Sequence, residues 1–167
     1  MQRPNSRNDS GFTLIELLVT VSISGILLGL VGPSISSWSS SNAHKATRDE
    51  TVSALRTTAQ RALAEGRTYC LAFGTNGSWS TYRKACGSGG TLVGAGQGEA
   101  RNGETVAAAF VYNAGQTSTC TTASGPATCA YFYPRGTASR GTVTISRAGK
   151  PTYTVTVEQL TSRVYSN

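Results

Sequence analysis

A chain of 167 residues makes one domain of ordinary size, or one domain with an appendage, and leaves no room for two large ones. Charged residues are sparse at 14%, Gly numbers 19 and short polar Ser and Thr are abundant, a composition nearer to secreted β-rich chains than to cytosolic helical enzymes. Lys and Arg outnumber Asp and Glu by 15 to 8, which favours anionic partners such as nucleic acid, phospholipid or acidic polymer, unless the excess serves solubility alone. His44 is the sole histidine and the four cysteines contain no CxxC pair, so a histidine-based triad or a zinc site has too few parts. Gly87 to Gly98 holds several glycines but no Gly-Lys-Ser/Thr follows, so it does not read as a phosphate loop. No enzyme, cofactor or metal is expected.

Residues 1–11, MQRPNSRNDSG, are polar and basic, and the 21 residues from 12 to 32, FTLIELLVTVSISGILLGLVG, follow without transition. At 1.5 Å rise per residue that run is about 31 Å long as a helix, the thickness of a hydrocarbon core. Glu16 interrupts it near its start. A cleaved secretory signal fits poorly, because the run is too long, the distance to Ser41 and Ala43 is large, and an acid rarely opens such a segment. A plain transmembrane anchor stays open.

Gly11-Phe12-Thr13-Leu14-Ile15-Glu16 resembles the class III signal of type IV prepilins and type II secretion pseudopilins. The resemblance implies cleavage after Gly11 by a prepilin peptidase, methylation of Phe12, and a glutamate, Glu16, at the fifth mature position. It further implies a single-pass inner-membrane protein with a periplasmic or extracellular domain, taken into a pilus or pseudopilus with other pilin or pseudopilin subunits. Pro33 matches the proline often found after the apolar stretch. Physical chemistry agrees: a carboxylate among apolar helices needs a partner, and the terminal ammonium of a neighbouring subunit's Phe12 would supply one at a defined stagger.

After the Ser-rich SISSWSSSN, Ala46, Val52, Leu55, Ala59, Ala62 and Leu63 recur at helical spacing, and Gly66 supplies a stop. One helix is predicted over 12–65, bent at Gly32-Pro33 and softened through the serines, with its stripe packed on a core. His44 is expected to be solvated near the membrane, and Glu99 and Glu104 to solvate a Gly-rich loop over 85–104 that is long enough to be mobile or functional. Period-2 stretches predict strands at 68–73, 78–83, 105–112, 128–133, 141–147, 152–158 and 161–165, with a hairpin turn at 148–151. The chain therefore reads as α+β: a leader (1–11), a long helix (12–65, transmembrane over 12–32) and a small antiparallel β domain (66–167) packed on it.

Cys70, Cys86, Cys120 and Cys129 all lie in that β domain, as expected of an oxidising compartment. Short separations favour bridges 70–86 and 120–129 over the two other pairings. Tyr131-Phe132-Tyr133-Pro134-Arg135-Gly136-Thr137, the Gly-Thr-led strand at 141–145 and a closing Ser162-Arg163-Val164 together resemble the FimT/GspH group of minor pilins and pseudopilins. That group commonly ends in Gly-Arg-x-Arg, implicated in DNA binding in its competence-associated members; here the segment is Ser162-Arg163-Val164-Tyr165, without the glycine or the second arginine. Arg135, Arg140, Arg147, Lys150 and Arg163 among tyrosines 131, 133, 153 and 165 form a candidate DNA-binding face. Inward-packed tyrosines and merely solubilising arginines are the alternative. The function expected is assembly of a minor type IV pilin into a filament or its initiating complex, with type II secretion pseudopilin as the alternative.

Overall fold

A computed structural model describes residues 12–101, 103–112 and 117–167, leaving aside the side chains of 30–37, 88, 95 and 96. The chain divides after Ser40 into two compact units. Helix α1, Leu14–Ala64, provides the regular structure of the first unit and continues into the second. Its start obeys a capping rule: Thr13 accepts from the Glu16 N–H through Oγ1 at 3.3 Å, and Thr-x-x-Glu is the spacing of a capping box. Within the apolar stretch the Thr20 and Ser22 hydroxyls donate back to the Leu17 and Leu18 carbonyls at 2.9 and 2.8 Å, so neither brings an unpaired donor into apolar surroundings. Every side chain from Phe12 to Gly29 is exposed. Among the described residues no helix is long and apolar enough to cross a membrane; the run read over 12–32 extends into side chains left aside, as does the bend expected at Gly32-Pro33.

Among the described residues the second unit is built on residues 41–64 of α1 and nine strands. The helix stops where expected: Gly66 adopts φ +61° and the Arg67 N–H reaches back to the Ala62 carbonyl at 3.2 Å, closing a Schellman turn. Strands β1 (Tyr69–Gly74), β2 (Ser78–Arg83), β3 (Thr91–Glu99), β5 (Thr119–Thr122) and β6 (Gly125–Phe132) form one antiparallel sheet in the order β3-β2-β1-β6-β5. Strands β4 (Glu104–Val111), β7 (Arg140–Arg147), β8 (Tyr153–Val157) and β9 (Val164–Ser166) form the other, in the order β4-β7-β8-β9. Alternation explains the core. Tyr69, Leu71 and Phe73 of β1, Val143 and Ile145 of β7, and Val155 and Val157 of β8 join Val52, Leu55, Ala59 and Ala62 of the helix in one buried cluster. Phe73 stacks on Phe110 of β4 at 6.0 Å, tying the two sheets together.

Three expectations are corrected. The segment 85–104 is no open loop: it contains a one-turn 3-10 helix, Gly87–Gly89, and all of β3. Glycine suits this edge strand because β3 crosses the indole of Trp79, where a Cβ at position 98 would meet the ring at 2.3 Å. The buried face of α1 is also rotated from the apolar stripe read in the sequence. His44, Thr47, Thr51 and Thr58 are fully buried, whereas Leu63 is 52% exposed on a flank and Ala46 is half-buried. The threonines fit because Thr51 and Thr58 donate to the carbonyls of Thr47 and Ala54, four residues back, and Thr47 donates to the Glu104 carboxylate. Finally, β5 is an additional strand, joined to β6 by a tight turn at Gly125, whose φ is +110°.

Candidate functional site

The residues expected to serve processing and assembly, Gly11, Phe12 and Glu16, come first along the chain. Gly11 falls outside the described residues; Phe12 and Glu16 sit on an exposed apolar surface that includes Leu14, Leu17, Leu18 and Val21. Glu16 occupies the first turn of α1, where a carboxylate also meets the positive end of the helix dipole. The first-turn position thus favours a carboxylate at 16 within the chain itself.

The basic residues expected to act together are divided by the strand geometry. Arg140 and Arg147 begin and end β7, seven residues apart, so they lie about 24 Å from one another and on opposite faces. Arg163 joins the Arg140 end: its carbonyl accepts from the Glu158 N–H at 3.0 Å, just beyond the Gly141–Val157 pair. Arg135 belongs there too, in a turn closed by Tyr133 N–H to Thr137 O at 2.8 Å and followed by Ala138 N–H to Gln159 O at 2.8 Å. All three side chains are exposed. The Tyr131 ring lies beside Tyr112, with centroids 5.8 Å apart, and Ser139 next to Arg140 exchanges hydrogen bonds with the Tyr131 backbone. Burial, aided by a hydrogen bond to Tyr112, pushes the Tyr131 phenol above its ordinary range, against the Cys86 N–H that favours its anion. Burial likewise raises Tyr133. These phenols stay neutral and so do not repel an anion. Tyr112 escaped the sequence reading because only the fold brings it beside Tyr131.

Arg147 and Lys150 serve another structure at the opposite end. Glu104, expected to solvate a loop, has a fully buried carboxylate that accepts from Thr47, from Arg147 at 3.4 Å, and from the Arg101 N–H at 3.3 Å. His44, expected to be solvated, is 1% exposed: Nδ1 faces Glu104 at 3.3 Å, Nε2 donates to the Pro151 carbonyl at 2.9 Å, and the ring lies 4.8 Å from that of Tyr153. Arg48 covers the same tyrosine at 4.9 Å and Lys150 donates to Ser41 Oγ at 2.7 Å. This network ties the helix, β4 and the β7–β8 hairpin together. Tyr153, placed among the candidate DNA tyrosines, is part of it, while Tyr165 is exposed on β9.

The cysteines pair as expected, Cys70 with Cys86 and Cys120 with Cys129. They form a second small core on the outer face of the five-stranded sheet, with Ala72, Tyr82 and Ala127. Sulfur atoms of Cys70, Cys86 and Cys129 lie within 4.8 Å of one another, but each is bridged and offers no thiolate to a metal. Gly87 allows this proximity, since a Cβ there would fall 1.8 Å from the Thr121 carbonyl oxygen of β5.

Residues 6–32 match the family model of the prokaryotic N-terminal methylation motif, and residues 47–161 that of type II transport protein GspH. No curated protein matches the chain in sequence. Among solved structures, the minor pseudopilin EpsH from the type II secretion system of Vibrio cholerae aligns at 13% identity and TM-score 0.57, over 75% of this chain and 93% of that one. The type IV minor pilin FimU of Pseudomonas aeruginosa strain PAO1 aligns at 12% identity and TM-score 0.55, over 78% of this chain and 92% of that one. At such identities the likeness is one of fold. Because the second family match covers most of the chain and is preceded by the methylation motif, the protein belongs to the GspH family of pilin-like and pseudopilin-like subunits.

Proposed function

We propose that the protein is a minor type IV pilin, made as a precursor, cut between Gly11 and Phe12, methylated on Phe12, held in the inner membrane through residues 12–32, and assembled into a filament or its initiating complex. The observation that carries this reading is a division of labour along α1. From residue 41 the helix is part of a complete core, whereas Phe12 to Gly29 expose apolar side chains on every face, a surface suited to lipid and to other pilin helices. Within that surface Glu16 pairs with a neighbouring subunit's terminal ammonium and sets register more than it adds stability.

Mass spectrometry of membrane-extracted protein tests processing: the expected mature chain has 156 residues, 167 minus 11, and begins with methylated Phe12. Retention of Met1, or an amino terminus at His44, defeats the reading. Glu16→Gln keeps a capping side chain at the third helical position but removes the charge, so it separates the two roles of this residue. Membrane insertion with impaired incorporation is the expected result, and normal incorporation beside partner pilins rejects the pairing role.

The GspH family description favours a second reading, a type II secretion pseudopilin at a pseudopilus tip in contact with exported protein. Deleting the gene separates the two: loss of pili supports the first and loss of protein export the second. DNA capture is a further reading, favoured by the exposed Arg135, Arg140 and Arg163 beside tyrosines 112, 131 and 133.

A further inference from the structure

We propose that Trp38 is an interfacial anchor, its indole seated in the headgroup layer of the bilayer leaflet from which α1 emerges. The proposal rests on the membrane-anchor reading above and adds the depth at which the helix is fixed. The chain has two tryptophans, used in opposite ways. Trp79 is buried in the core over Gly98, whereas Trp38 is 69% exposed on α1. It is the only Phe, Trp or Tyr between Phe12 and Tyr69.

Its neighbours argue against a helix–helix seam. A seam would continue past Trp38 at spacings of three, four and seven residues, but Ser41, Asn42 and Lys45 stand there, and the apolar positions on the other side, Val31 and Ile35, only lead back toward the apolar run beside Ser34. A single aromatic just past a long apolar run, on an otherwise polar stretch, is the arrangement of an aromatic belt residue, whose ring is apolar and whose indole N–H needs a polar partner.

Distances agree. Trp38 lies six residues beyond the end of the run at residue 32, about 9 Å along the helix at 1.5 Å per residue. Helical side chains lean toward the amino terminus, which carries the indole several ångströms back toward the bilayer. The headgroup layer is about 5 to 7 Å thick on each side of a hydrocarbon core of about 30 Å, and the ring falls within it.

The test uses the full mature chain in vesicles of phosphatidylethanolamine and phosphatidylglycerol, bearing a quencher either on the headgroup or deep in the acyl chains. Trp79 is shielded in the protein core, so the emission lost on Trp38→Phe reports Trp38 alone. Headgroup quenching of that emission roughly twofold stronger than deep quenching is the expected result for an interfacial indole. Stronger deep quenching, or no lipid quenching while the chain floats with the vesicles, overturns the proposal by placing Trp38 in the hydrocarbon, in water or beneath another protein. A chain that does not float defeats the anchor reading itself, and the proposal with it.

Discussion

Ser162 shows how a single backbone angle records a departure from a family pattern. It adopts φ +49°, in the left-handed region that costs an L-residue about 1 to 2 kcal/mol, at the position where the FimT/GspH ending carries glycine. Ser162→Gly is therefore expected to stabilise the domain by about 0.5 to 1 kcal/mol, a rise of about 2 to 4 °C in thermal midpoint, with Arg163 kept in place. A lower midpoint by calorimetry would mean that the serine makes a contact worth more than the strain. Glu104 gives the opposite case. Its buried carboxylate answers Arg147, His44 and Thr47, so Glu104→Ala leaves buried donors without an acceptor and should cost about 3 to 5 kcal/mol in chemical denaturation. A loss below 1 kcal/mol would show that water replaces the carboxylate freely. Neither His44 nor Glu104 could be recognised as buried from the sequence, because each stands among polar neighbours and its partners are some 60 residues away along the chain.

Strands were legible where apolar residues alternate, as in β7 and β8, and β2 matches its predicted bounds, Ser78–Arg83. They were hidden where the strand is an edge and its side chains need not be apolar. β3 has glycine at three of its nine positions and is held by pairing to β2 and by Trp79, while β5 is a four-residue run of Thr and Cys held by a turn and a bridge. The helix face was legible in Val52, Leu55, Ala59 and Ala62, which are buried, but its threonine side was hidden: threonines that satisfy their own hydroxyls within the helix pack like apolar residues. The cysteine spacing, by contrast, carried its pairing, because short loops close at the least entropic cost. Both bridges hold their segments onto the outer face of the larger sheet, where they form the second small core. Replacing Cys70 and Cys86 together by Ala should cost about 2 to 4 kcal/mol. Replacing Cys120 and Cys129, which close a shorter loop, should cost somewhat less, and the reverse order in urea titration would show that β5 matters beyond its loop entropy.

At the scale of the molecule, the positive charge is distributed between two ends of the β domain with different duties, and this division makes the DNA reading testable. Around Glu104 and Ser41, Arg147 and Lys150 are engaged in internal contacts; at the far end of β7, Arg135, Arg140 and Arg163 are exposed beside neutral tyrosines. If that exposed end binds duplex DNA, the contacts are to phosphates and carry no sequence preference. With about three phosphates neutralised, affinity should fall in the weak non-specific range, roughly 10⁻⁴ to 10⁻⁶ M, and a filament would add avidity. A soluble chain from residue 37 onward should show a logarithmic salt slope near −0.9 per phosphate contacted. Arg140→Ala with Arg163→Ala should then reduce that slope by about 2 and leave thermal stability nearly unchanged, whereas Arg147→Ala should lower stability and spare the slope. Arg56 supplies an internal control, because its guanidinium is tied to the Val164 carbonyl at 3.0 Å. Absence of binding at low salt, or a slope that follows Arg147 in place of Arg140 and Arg163, would assign the exposed arginines to solubility and leave the protein an assembly subunit alone.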